Sequence, residues 1–144
     1  MHRPQLIADI AEGMATFKRR LGPAQGSTPA KHMPTRAQIG LLSILSHEGP
    51  QSLKEIAGSL CMSSSAATQL VNGLVKEKTL TRTEDVKDRR KIRLQLTASG
   101  KRKLEQAKKI YLVSLTKLLE PLSDTELRQW KTLQEKILSR ATRV

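Results

Sequence analysis

Residues 52–73 read SLKEIAGSLCMSSSAATQLVNG, and this stretch decides the fold. Ser52 and Glu55 stand at capping-box spacing, in which hydroxyl and carboxylate satisfy each other's free backbone amides, and they open a short helix. Leu53, Ile56, Ala57 and Leu60 share one face of it. After a brief turn at Cys61–Met62, Ser63 can cap a second helix. Ala67, Leu70, Val71 and Leu74 take its inward face, which leaves Ser64, Ser65, Thr68, Gln69 and Asn72 pointing outward. Two short helices joined by a three- or four-residue turn, the second with small polar residues outward, make a helix-turn-helix.

Beyond Lys78 the period changes from helical to alternating. A strand begins at Leu80 and Arg82, TEDVKDRR (residues 83–90) is polar and charged, and in KIRLQLT (91–97) Ile92, Leu94 and Leu96 alternate with Arg93 and Gln95. A hairpin with one buried face is predicted. Its tip stays in water, because Asp85, Lys87, Asp88, Arg89 and Arg90 would otherwise all be desolvated together. Upstream, Thr35 can cap a helix with Ile39, Leu42 and Leu45 that stops at Gly49–Pro50. Before that, Leu6, Ile10, Met14, Phe17 and Leu21 recur at helical steps up to Gly22–Pro23, followed by a turn-rich connector. Downstream, Thr97 caps a long helix with Leu104, Ala107, Tyr111, Leu115 and Leu118 on one stripe. Ser123 and Glu126 form a second capping box ahead of Leu127, Trp130, Leu133 and Ile137. The fold class is therefore mainly α with a small β-hairpin wing.

Charge agrees with that plan. The 144 residues carry 26 Lys plus Arg against 13 Asp plus Glu, a formal +13, and residues 76–103 alone hold 11 basic and 4 acidic side chains. More than half of the excess thus lies in the hairpin and its borders, as expected of a surface that meets a polyanion. An outward Ser/Thr/Gln face can enter the DNA major groove and hydrogen-bond base edges, while Arg on the hairpin reaches phosphates or the narrow minor groove. The expected recognition residues are Ser63, Ser64, Ser65, Thr68, Gln69 and Asn72. The expected wing residues are Arg82, Lys87, Asp88, Arg89 and Arg90.

From Leu53 to Leu104 the sequence resembles the winged-helix domain of the MarR family of transcriptional regulators. The residues that carry the likeness are the capped short helix, S-x-S-x-x-T from Ser63, D-x-x-D-R-R from Asp85 and L-x-L-T-x-x-G from Leu94. MPTRAQIGLLSIL before it resembles the family's second helix. The resemblance implies a homodimer on a pseudo-palindromic operator, and repression relieved by a small aromatic ligand or by oxidation. It assigns dimerisation to the N-terminal and two C-terminal helices, hence to Leu6, Ile10, Met14, Phe17, Leu115, Leu118, Leu127, Trp130 and Ile137. It matches Arg90 to the family's wing arginine and Asp88 to a residue that holds the wing's shape. Three positions depart from the family pattern. Asn72 replaces an Asp that pairs with that arginine, Lys78 replaces a Gly after the recognition helix, and Val86 replaces a wing Pro.

The organisation expected is a dimerisation helix and connector at 1–34, a winged helix-turn-helix at 35–100 and dimerisation helices at 101–144. The partners expected are double-stranded DNA and a second copy of the chain, with no membrane and no cofactor; the effector's identity is open. The first twenty residues place Asp9 and Glu12 inside the apolar pattern and lack a signal-peptide core, so a cytoplasmic protein is expected, nucleoid-associated when on DNA. A lone Cys61 excludes an intrachain disulfide, and beside apolar Met62 it reads as a small buried residue rather than a redox sensor. His2, His32 and His47 are scattered, no metal-ligand or phosphate-loop spacing occurs, and no enzyme is expected. The competing readings are a winged-helix module that binds a protein and a non-specific nucleic-acid binder.

Overall fold

The computed structural model describes residues 2–21 and 33–141. Among them, six helices and one hairpin follow in the order α1 (Arg3–Arg20), α2 (Arg36–Glu48), α3 (Leu53–Ser59), α4 (Ser64–Lys76), β1 (Leu80–Glu84), β2 (Ile92–Leu96), α5 (Ala98–Leu119) and α6 (Asp124–Ala141). The chain divides into two compact units, Gly26–Ile110 and a second made of Met1–Gln25 with Tyr111–Val144. Gly22–Pro23 and most of the connector lie outside the described residues.

Local chemistry sets the helix starts in the first unit. Thr35 Oγ1 accepts the Gln38 amide at 3.2 Å and the Thr35 amide donates to the Gln38 side chain at 2.8 Å, a reciprocal cap for α2. Ser52 and Glu55 do the same for α3, at 3.2 and 2.7 Å. Ser63 Oγ accepts the Ala66 amide at 3.1 Å and caps α4. Caps of this kind contribute roughly 1 kcal/mol each. α2 ends at Gly49, whose φ of 77° no β-branched or bulky residue would accept without strain.

Helices α3 and α4 end alike, in a motif the sequence did not announce. The amides of Cys61 and Met62 donate back to the carbonyls of Gly58 and Ala57 at 3.2 and 2.9 Å, and those of Lys78 and Thr79 to Val75 and Leu74, both at 2.9 Å. Each is a Schellman closure, which needs a left-handed residue after the helix. Cys61 and Lys78 fill that position with φ of 51° and 59°. This corrects the expectation for Cys61. The left-handed turn directs its side chain outward, and the thiol is exposed rather than buried.

The first unit's core gathers Leu41, Leu42 and Leu45 of α2, Ile56 of α3, Val71 and Leu74 of α4, Leu80, Leu94 and Leu96 of the hairpin, and Leu104 of α5. β1 and β2 are antiparallel, with Leu80 opposite Leu96 and Glu84 opposite Ile92. A further bridge joins β2 to the residue before the α3 cap, where Gln51 and Leu94 exchange both backbone hydrogen bonds at 3.1 and 2.7 Å. Ile92 departs from the predicted buried face. It lies at the outer end of the hairpin, beyond the core, and is 50% exposed.

The second unit contains α1, the C-terminal part of α5 and α6. Phe17 and Trp130 meet edge to face with centroids 5.4 Å apart and planes at 78°, the arrangement favoured by the ring quadrupoles. Leu115, Leu119 and Leu127 join them around a small cavity of about 170 Å³. The Ser123 box closes the start of α6, Ser123 donating its amide to Glu126 at 2.8 Å. Leu6, Ile7, Ile10 and Met14 along α1 and Ile137 on α6 all remain at least half exposed. Among the described residues no helix is long and apolar enough to cross a membrane.

Candidate nucleic-acid interface

Helix α4 presents the predicted polar face. Ser63, Ser64, Ser65, Thr68, Gln69 and Asn72 are all exposed, while Ala67, Val71 and Leu74 of the same helix are buried. Two of the hydroxyls are partly committed: Ser63 caps the helix, and Thr68 donates its proton to the Ser64 carbonyl at 2.7 Å. Thr68 therefore offers an acceptor and a methyl group to whatever lies against α4.

The hairpin stands beside α4 in the same unit. Arg82, on β1, donates from Nη2 to the Asn72 side-chain oxygen at 2.5 Å and so ties the strand to the helix. This corrects the partner expected for Asn72. The resemblance paired that position with Arg90, yet Arg82 is nearer the strand's origin and reaches α4 directly, while Arg90 sits out in the wing turn. Lys87, Arg89 and Arg90 are exposed, and Asp88 is half-buried. Val86, in the position expected to carry Pro, is fully exposed at the tip.

The wing's shape comes from two aspartates. Asp88 Oδ1 accepts the Arg90 amide at 3.1 Å. Asp85 is more than part of a charged tip. Its Oδ1 accepts the amides of Lys87 and Asp88 at 2.8 and 3.2 Å, and its own amide donates to the Lys91 carbonyl at 2.8 Å. Its other oxygen takes Arg93 Nε at 2.6 Å, and Arg93 Nη1 reaches Glu55 of α3, also at 2.6 Å. The Arg93 hydrogen bond, followed by the Lys87 amide, holds the Asp85 carboxyl at about 2, against an ordinary 3.8. Glu55 is lowered too, first by the amide and hydroxyl of Ser52 and then by Arg93. By alternation alone Arg93 is an outward-facing residue of the strand. Nothing in the sequence marks its partners, since Glu55 lies 38 positions away.

Among the described residues no group of three or more His, Cys, Asp or Glu side chains could hold a metal ion. What the unit offers is a polar helix face next to the exposed cations Lys87, Arg89 and Arg90 on a short, internally braced hairpin.

The family model described as MarR family matches residues 35–92, which span α2 through the wing. The transcriptional repressor MdtR of Bacillus subtilis is 28% identical over 137 residues, covering 95% of this chain and 88% of that protein. The chain belongs to the MarR family. Among solved structures, the YusO protein of Bacillus subtilis is 27% identical with a TM-score of 0.70, covering 96% of this chain and 99% of that one. A MarR family protein from Bacillus stearothermophilus superposes with a TM-score of 0.80 over 99% of this chain and 100% of its own, at 21% identity, which speaks to the fold alone. This MarR family chain is accordingly a DNA-binding transcriptional regulator with a winged-helix fold.

Asn72 and Lys78, two of the departures from the MarR pattern, now have a physical description, Asn72 through its hydrogen bond from Arg82. Lys78 adopts the left-handed conformation that a Gly would take at no cost. The L-x-L-T-x-x-G run places Leu94 and Leu96 in the core and Thr97 at the start of α5. There the Thr97 hydroxyl accepts the Gly100 amide at 3.0 Å and donates toward the Lys78 and Thr79 carbonyls, 2.7 and 3.1 Å away.

Proposed function

We propose that the protein is a homodimeric repressor that binds a pseudo-palindromic operator, with α4 of each protomer in the major groove and each wing on the flanking minor groove. The observation that carries this is the placement, in one unit, of the exposed face Ser64, Ser65, Thr68, Gln69 beside the exposed cations Lys87, Arg89 and Arg90. Base edges in the major groove suit the first set, and phosphates or a narrow minor groove suit the second. Repression follows the character of MdtR, a relative over most of its length.

Dimerisation is assigned to α1, the end of α5 and α6, through Leu6, Ile10, Met14, Phe17, Leu115, Leu118, Leu127, Trp130 and Ile137. Exposed apolar side chains along a helix call for a covering surface, and Leu6, Ile10, Met14 and Ile137 stand exposed. Release by a small aromatic ligand is supported by an open cleft of about 350 Å³ lined by Met33, Pro34, Ala107 and Ile110 with Lys103, Gln106 and Lys109, a size within the usual range for small-molecule sites.

The roles separate by binding assay. Arg89→Ala and Arg90→Ala lower affinity for operator and random duplex together and each reduce the salt slope of log Kd by about one. Thr68→Ala and Gln69→Ala act on the operator alone, by about 1 to 3 kcal/mol. Equal effects of all four on both duplexes would overturn the assignment.

A further inference from the structure

Besides the Arg82–Asn72 tie to α4, the hairpin meets the helix-turn-helix at a second point, beside α3. β2 enters the first unit's core through Leu94 and Leu96, and Leu94 is paired through its backbone with Gln51, just before the Ser52 cap of α3. The neighbouring residue, Arg93, consequently lies between two elements that are far apart in the chain. Its Nη1 donates to Glu55 Oε2 and its Nε to Asp85 Oδ2, both at 2.6 Å. Glu55 Oε2 is the same oxygen that accepts the Ser52 amide at 2.7 Å. Asp85 is the residue whose other oxygen gathers the amides of Lys87 and Asp88. One planar guanidinium thus joins the capping box of α3 to the carboxylate that folds the wing.

The arrangement differs from an ordinary surface ion pair in two ways. The Asp85 side chain is 13% exposed and that of Arg93 28%, so water screens them less than it screens free surface charges. The geometry also uses the fork of the guanidinium, with different nitrogens serving different carboxylates. A lysine, a single charge on a flexible stem, cannot reproduce that. Take Arg93 away and two carboxylates are left near one another with their common cation lost.

We propose that Arg93 is a positioning residue that locks the wing to the helix-turn-helix, so that α4 and the wing cations meet a duplex as one rigid body. Arg93 reads no base itself. The inference rests on the DNA-binding mode proposed above only for its effect on affinity; the lock is a property of the free protein.

The test uses the full chain and begins without DNA. Amide hydrogen exchange is followed at Lys87 and Asp88 in wild type, Arg93→Met, Arg93→Lys and Glu55→Gln. The Gln variant keeps an N3 side chain able to accept the Ser52 amide while removing the charge that faces Arg93. Exchange at both wing amides is expected to rise about tenfold in Arg93→Met, the loss of charge-assisted hydrogen bonds from a local opening equilibrium. Glu55→Gln raises it severalfold although it lies in α3, and Arg93→Lys falls between wild type and Met. Unchanged wing exchange in Glu55→Gln overturns the lock, whatever Arg93→Met does.

A mutant cycle on a duplex selected from a random pool then reads the consequence. Arg93→Met and Arg90→Ala are expected to be non-additive, because an unlocked wing has already lost most of what Arg90 contributes, whereas Arg93→Met and Thr68→Ala add. Additivity with Arg90→Ala assigns Arg93 to general stability and overturns its positioning role. If the wing amides respond as expected but Arg90→Ala by itself leaves duplex binding unchanged, the DNA-binding mode fails and the lock stands.

Discussion

Replacing Gly100 with Ala tests how tightly α5 is seated on the wing's base. Gly100 is buried in the first turn of α5, and a methyl there would press deep inside contact distance on the Thr79 carbonyl oxygen, with Leu96 Cδ2 at 3.2 Å on another side. That carbonyl cannot retreat freely. Thr79 is 1% exposed, and its oxygen is held by the Thr97 amide at 3.2 Å and approached by the Thr97 hydroxyl at 3.1 Å. Two effects oppose each other. Removing Gly from a helix gains about 1 kcal/mol at most. Overpacking a fixed site costs about 1 to 3 kcal/mol, and opening the seam weakens hydrogen bonds worth roughly 1 kcal/mol each. Packing prevails, and Gly100→Ala is expected to lose about 1 to 3 kcal/mol, a fall in Tm of roughly 5 °C for a chain of this length. Urea unfolding at fixed protein concentration measures it. Gly73→Ala provides the control, since in α4 an added methyl at Gly73 meets nothing within 4 Å, and it should gain roughly 0.5 to 1 kcal/mol. Equal stabilisation by both substitutions would refute the close approach of α5 to Thr79.

Lys78→Gly relieves a left-handed residue at the end of α4 and is expected to stabilise by about 0.5 to 1 kcal/mol in thermal unfolding, while Lys78→Ala, which keeps the Cβ, gives no such gain. The Asp85 carboxyl, followed by its ¹³C shift, titrates near 2 rather than 3.8. Because its folded value is depressed, its stabilising bonds are complete above pH 4 and disappear as pH falls through about 2. A midpoint near 4 would contradict the Arg93 contact. Ile10→Glu puts a charge on the exposed stripe of α1 and converts a dimer in sedimentation to a species near the chain mass of 16.0 kDa; an unchanged mass removes α1 from the interface.

What the sequence reveals depends on how local the cause is. The caps at Thr35, Ser52, Ser63 and Ser123 are written within four residues, and each forms. The outward face of α4 follows from helical spacing alone, as does the burial of Leu94 and Leu96 from alternation. Other features depend on geometry that spacing does not encode. Cys61 next to Met62 looks apolar, yet its exposure is set by the left-handed turn that closes α3. A Schellman closure without Gly leaves almost no trace in composition. Ile92 continues the alternation but lies where the hairpin has already left the core. Asn72 takes Arg82 rather than Arg90 because strand register, not sequence likeness, decides which arginine faces the helix. Arg93, Asp85 and Glu55 meet only once β2 has paired with both β1 and Gln51.

Whether the protein is a sequence-specific dimer on DNA is decided by selecting bound fragments from a random duplex pool at about 150 mM salt, where exposed charge is screened beyond about 8 Å. Enrichment of an inverted repeat, with half-sites about one helical turn or 34 Å apart and lost in Gln69→Ala, is the predicted result. Uniform recovery of all sequences by a folded dimer would contradict it and leave the wing's charge as a non-specific grip on polyanions.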